Sequence, residues 1–179
     1  MERDPVDLFI EQWKRERPDL DASPLGIVSR VIMLAKHLEQ CADRALERSG
    51  LSLWQFDVLA ALRRSGPPFK LSPSRLMQLV ALTSGAMTNR IDRLEAAGLV
   101  AREDNPDDRR GVRIALTAEG RRLVDEAIAA RLDDARRSIA SLADDEVDKL
   151  AALLRRLMLA TVGPAPCPAR RRATAVALR

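Results

Sequence analysis

Residues 100–117, VAREDNPDDRRGVRIALT, limit the fold more than any other stretch of this 179-residue chain. Val112, Ile114 and Leu116 alternate with Arg113 and Ala115, the period of a half-buried strand, and Val100 to Glu103 can form a second strand. The loop between them is polar and basic at its tip. On either side of this hairpin the apolar residues recur at intervals of three and four. The expectation is a mainly α chain carrying one small β-wing.

The helices are placed by their punctuation. Residues 4–16 read as a short amphipathic helix with Leu8, Phe9 and Trp13 on one face, broken by the prolines of ERPDLDASP. Residues 25–48 read as a long helix with Ile27, Val31, Leu34, Leu38 and Cys41 in one stripe, and 54–65 as a third, ended by GPP. Ser72 is a good N-cap and Pro73 fits the first position of a helix running to 80. The next helix has Thr83 or Ser84 as its cap and Gly98 as its stop. Thr117 caps a helix reaching about 138, and a last one spans about 144–161.

Two helices a few residues apart, followed by the hairpin, read as a winged helix-turn-helix. On a wheel of 100° per residue, Met87, Ile91 and Leu94 share one face of the second helix. The opposite face carries Gly85, Asn89, Asp92, Arg93 and Ala96, so it is flat and bears short hydrogen-bonding groups. Such a face suits close approach to another surface. In the major groove of DNA, Asn89 is suited to adenine and Arg93 to guanine. Ser84, Gly85 and Thr88 lie along the same contact. Ser72, Ser74 and Arg75, at a helix N-terminus, suit phosphate. Arg109, Arg110 and Arg113 on the wing complete the candidate interface.

Charge supports this placement. Residues 63–113 hold 10 basic and 6 acidic side chains, whereas 1–62 hold 8 and 11, and 114–162 hold 8 and 9. A local basic excess is what a phosphate backbone requires. The other excess lies in 163–179, GPAPCPARRRATAVALR, read as a disordered basic tail. No apolar run reaches the roughly 18 residues of a membrane span, and the charged N-terminus lacks a secretory stretch, which points to the cytoplasm. One histidine, no tyrosine and two distant cysteines leave little from which to build a zinc or Ser-His site, so no enzyme, metal or cofactor is expected. Cys41 sits in an apolar stripe, where free cysteines are usually inert; a redox switch through it is the alternative.

The chain then divides into N-terminal helices (1–50), a winged helix-turn-helix lobe (51–117), C-terminal helices (118–162) and the tail (163–179). The outer helices have apolar faces with little nearby to cover them, which predicts a homodimer suited to palindromic half-sites.

LEAAGLV at 94–100 and DDRRGVRIALTAEG at 107–120 resemble the MarR family of bacterial transcription regulators. The resemblance implies a winged-helix homodimer on double-stranded DNA, with 83–97 in the major groove. It also implies Arg110 in a minor groove, and Asp108 holding the wing by pairing with an arginine. A narrow A·T-rich minor groove attracts an inserted arginine. The N-terminal Trp, ERPDLD and SGAMTNRIDRLE are similar to the urate-responsive branch, with an extra N-terminal helix that serves as dimer contact and pocket lid. That likeness implies an anion site at Trp13, Asp57, Arg90 and Arg102. Relatives with the same segments answer to tricarboxylates such as citrate, so the ligand is urate or a related small anion. Two arginines and one acid can hold an anion by bidentate hydrogen bonds, and Arg90 lies about 65° from its helix's apolar centre, on the inward flank.

Overall fold

The structure is a computed structural model that describes residues 3–80, 84–105 and 108–163; at 84 and 108–110 it describes the backbone. Ten principal elements follow one another: α1 (Pro5–Glu16), α2 (Ser23–Leu46), α3 (Leu53–Arg64), β1 (Lys70–Leu71), α4 (Pro73–Val80), α5 (Ser84–Ala96), β2 (Val100–Asn105), β3 (Asp108–Leu116), α6 (Ala118–Ser138) and α7 (Asp144–Thr161). A single 3-10 turn, Glu47–Ser49, ends α2. The expected helices are all present, and the hairpin is there. Thr83, the wing loop at 106–107 and the tail beyond Gly163 lie outside the described residues, as do the side chains of Ser84, Asp108, Arg109 and Arg110.

The winged lobe has its own core. Leu59 and Leu62 of α3, Leu76 of α4, Met87, Ile91 and Leu94 of α5, Val100 and Ile114 of the sheet, and Val124 and Ala127 of α6 are all buried together. Burying one such Leu or Ile side chain is worth about 1.5–3 kcal/mol. The sheet has three antiparallel strands in the order β1-β3-β2, not the two expected. β1 was invisible because two residues have no period; Lys70 and Leu71 are strand because they pair with Ala115 and Ile114.

Three contacts fix α5 against the wing. Gly98 takes a left-handed φ of +70°, which glycine adopts without a side-chain clash, and Leu99 N–H donates to Leu94 O at 2.9 Å. The Thr117 hydroxyl lies 2.8 Å from Gly98 O and accepts from Gly120 N–H at 3.0 Å, so it caps α6 as expected and ties that cap to the end of α5. Gly120 presses against this turn so closely that a Cβ there would lie 2.0 Å from Leu99 O.

The first helix is present as expected. Leu8 and Trp13 are about half exposed, at 53% and 48%, and the buried residue of α1 is Val6. Ion pairs join the buried Val6 in fastening α1 to α2. Asp4 caps α1 by accepting from Val6 and Asp7 N–H groups, and Arg30 of α2 donates to Asp4 at 2.7 Å and to Asp7 at 2.6 Å. Ser138 closes one compact unit, and α7 belongs to a second that begins at Ile139. Within that unit Leu150, Leu153, Leu154, Leu157 and Met158 are exposed along α7.

Candidate nucleic-acid interface and anion site

Helix α5 divides as its wheel predicts. Met87, Ile91 and Leu94 are buried, while Gly85, Ala86, Thr88, Asn89, Asp92, Arg93 and Ala96 are exposed. Small residues leave this outer face nearly flat, and among the described residues Arg93 forms no ion pair. At the start of α4 the Ser72 hydroxyl accepts from Arg75 N–H at 3.2 Å and lies 3.0 Å from the Ser74 hydroxyl. Ser72 is thus the N-cap, and both hydroxyls gather at a helix end that favours anions. Arg75 also donates to Gln78 at 3.0 Å. Arg113 is half-buried on β3 in register with Glu103.

Arg90 turns inward. Its guanidinium carbon sits 5.4 Å from the centre of the Trp54 ring on α3, within cation–π range. One turn along α3, Asp57 is half-buried at the edge of the core. Among the described residues its carboxylate accepts no hydrogen bond. Burial pushes that carboxyl above its ordinary range; the fields of Arg131, Arg64 and Arg90 pull it partly back, and Asp43 adds to the rise. The charges of three arginines, on α3, α5 and α6, thus act on Asp57.

The four residues of the expected anion site are thus only partly assembled. Asp57 and Arg90 share one electrostatic environment. Trp13 is exposed on α1. Arg102 is engaged elsewhere: its guanidinium donates to Asp92 and Glu95 of α5, and its backbone N–H donates to Glu95 at 2.9 Å. Those carboxylates hold the Arg102 guanidinium firmly protonated. Two contributors go unnamed in the sequence reading. Trp54 lies three residues before Asp57 on the same helix, a spacing that could have found it. Arg131 comes from a distant segment, and no local pattern marks it.

Cys41 is half-buried, with His37 Nε2 at 3.4 Å and the Arg44 guanidinium 3.2 Å from its sulfur, one turn away on either side. Among the described residues no group of His, Cys, Asp and Glu could hold a metal ion, and no helix is long and apolar enough to cross a membrane.

A helix-turn-helix with a flat polar second helix, followed by a β-wing and flanked by long helices, defines the winged-helix class of transcription regulator. The chain belongs to the MarR family of transcriptional regulators, whose relatives here are regulators and not enzymes. The MarR family model matches residues 49–111. The HTH-type transcriptional regulator PecS of Dickeya dadantii (strain 3937) is 34% identical over 149 residues, which cover 83% of this chain and 90% of the relative. Sco3205, a MarR family transcriptional regulator from Streptomyces coelicolor solved in complex with DNA, aligns with a TM-score of 0.73 at 26% identity, over 82% of this chain and 95% of that one. Bordetella bronchiseptica BpsR, whose DNA binding is regulated by 6-hydroxynicotinic acid, aligns with a TM-score of 0.67 at 27% identity, over 73% and 91%.

Proposed function

We propose that this chain acts as a homodimer on a palindromic operator, probing the major groove with α5, and that a small anion releases it. Asn89 and Arg93 read base edges, with Gly85 and Thr88 allowing close approach. Ser72, Ser74 and Arg75 take phosphate, and Arg109, Arg110 and Arg113 bring the wing to the flanking minor groove. The exposed apolar faces of α2 and α7 supply the dimer contact.

The observation that carries the reading is the division of α5 between its two jobs. Its outer face is small and polar, while Arg90 from the same helix points inward onto Trp54 beside Asp57. Arg90 and Arg64 beside a partly desolvated carboxylate offer bidentate donors to a small anion, while Arg131 is paired with Asp134 at 3.3 Å and Asp43 adds negative charge. An anion drawn to Arg90 pulls on the recognition helix, so the DNA-bound and ligand-bound arrangements of α5 differ. Ligand and DNA then oppose each other through a coupling free energy. Urate is the first ligand proposed and a citrate-like tricarboxylate the second. The regulation of BpsR by an aromatic acid supports a site of this kind.

The test is fluorescence anisotropy of the protein on DNA from upstream of its own gene, titrated separately with urate and citrate. Release by urate at concentrations where citrate does nothing supports a urate pocket. Release by citrate alone makes it a polyanion site in which Trp13 has no part. Tight DNA binding that neither ligand disturbs, or that Arg90→Ala leaves equally ligand-sensitive, removes the anion reading. The contacts of Cys41 with His37 and Arg44 support a second reading, a redox switch. It predicts that peroxide releases the native protein from DNA and leaves Cys41→Ser bound.

A further inference from the structure

The two acidic residues of the recognition helix are spoken for by one arginine, and that arginine comes from the wing. Asp92 and Glu95 are the only carboxylates on α5, and Arg102 of β2 donates to both, with its backbone N–H adding a third bond to Glu95 at 2.9 Å. Arg102 lies on the inner face of the sheet. Its register partner Ile114 is fully buried, and the next residue, Glu103, turns to the opposite face and pairs with Lys70. Successive side chains of β2 therefore tie it on one face to the helix and on the other to β1.

The need for such a tie follows from the backbone. Only Ala97, Gly98 and Leu99 separate α5 from β2, and the link turns on a left-handed glycine. A hairpin leaving a helix through a glycine turn can swing about it unless side chains cross the junction. Exposed single ion pairs do little, but here one guanidinium bridges two carboxylates and a backbone bond holds the strand itself, a geometry that fixes direction. A second consequence concerns charge. Asp92 is exposed beside Arg93, and an unpaired Asp92 would either repel phosphate or neutralise Arg93. With both acids held by Arg102, Arg93 stays without an ion pair among the described residues.

We infer that Arg102, Asp92 and Glu95 form a clamp that sets the angle between wing and recognition helix, which makes Asp92 and Glu95 positioning residues for joint reading of the operator core and its flanks. The inference rests on the reading of α5 and the wing as the DNA contact.

The test uses the full chain with Asp92→Asn, Glu95→Gln and the exchanged pair Arg102→Glu with Glu95→Arg. Each protein is measured on the upstream operator duplex with its native flanks and with A·T flanks replaced by G·C. Amide hydrogen exchange of 100–105 is followed in the free proteins. The wild type should lose affinity when the flanks are replaced. Glu95→Gln should bind the native duplex about three- to tenfold more weakly, the size of one or two lost surface pairs. It should bind the replaced duplex like the wild type, exchange faster over β2 and keep its melting temperature. Asp92→Asn should do the same more weakly, and the exchanged pair should recover flank discrimination. Unchanged exchange over β2, or unchanged flank discrimination in Glu95→Gln, overturns the clamp. So does an equal loss on both duplexes accompanied by a lower melting temperature, which marks a purely structural pair. A wild type that binds no upstream DNA overturns the parent reading, and one that binds but ignores its flanks overturns the clamp alone.

Discussion

The winged lobe and the helical arms use apolar residues in opposite ways. In the lobe, Leu59, Leu62, Leu76, Leu94 and Ile114 are completely buried within one chain. Along α2, Ile27, Val28, Val31, Ile32 and Leu34 are 39–63% exposed, and along α7 Leu153, Met158 and Leu159 are more than half exposed. Isolated surface leucines are ordinary, but contiguous stripes of this length mark surfaces that meet another molecule. The core of the lobe closes within a single chain, whereas the stripes of α2 and α7 lie open, as the proposed dimer contact requires. Even α1 is fastened by Arg30 to the capping carboxylates Asp4 and Asp7, leaving Leu8 and Trp13 outward.

This contrast can be broken most severely from the lobe side. Leu59→Ala should cost about 2–5 kcal/mol, the usual range for a fully buried leucine replaced by alanine, read as a loss of stability in urea at any protein concentration. Leu34→Ala, at 56% exposed, should instead leave stability dependent on protein concentration and shift the monomer–dimer midpoint in sedimentation equilibrium. Equal, concentration-independent losses in both variants would erase the distinction between lobe and arm.

Gly120→Ala should come next. The added Cβ would lie 2.0 Å from Leu99 O, a backbone atom that can move only with the α5–β2 turn. Overpacking of this kind typically costs about 1–3 kcal/mol. Because the strained turn links recognition helix and wing, DNA affinity should fall further than thermal stability alone accounts for. A variant with native melting temperature and native operator affinity would show that the turn yields freely.

How much of this was legible in advance depended on whether the cause was local. Met87, Ile91 and Leu94 sit three and four apart, so the buried face of α5 could be read from the wheel, and Gly98 and Thr117 announced their caps. β1 could not be read, since pairing with β3 is all that makes Lys70 and Leu71 a strand. The partners of Arg102 are illegible in the sequence for a similar reason. Asp92 and Glu95 reach it only after the hairpin folds back on α5, ten and seven positions away. The resemblance points to Asp57, and Trp54 stands one turn away on the same helix, yet Arg131 comes near only once α6 packs against α3.

Asp57 also gives the smallest and most discriminating test of the lobe. Its carboxyl is raised by burial, so in the acid range the folded chain binds a proton that the unfolded chain has already released. Where the native state holds more protons, stability falls as pH rises. The contribution of Asp57 is therefore complete below its unfolded pKa of about 4 and is lost as pH climbs through the higher folded value. Above that folded value the lobe keeps an ionised, partly desolvated carboxylate at a cost in stability. Asp57→Asn removes that cost while preserving shape, so it should melt slightly higher than wild type at pH 7 and show a flatter profile between the two values. Its ligand response should fall at the same time, because the charge that acts together with Arg64, Arg90 and Arg131 is gone. A carboxylate that lowers stability while no ion pair among the described residues holds it is how a functional site differs from a structural ion pair. An Asp57→Asn protein that melts lower than wild type at pH 7 would show that Asp57 belongs to the scaffold instead.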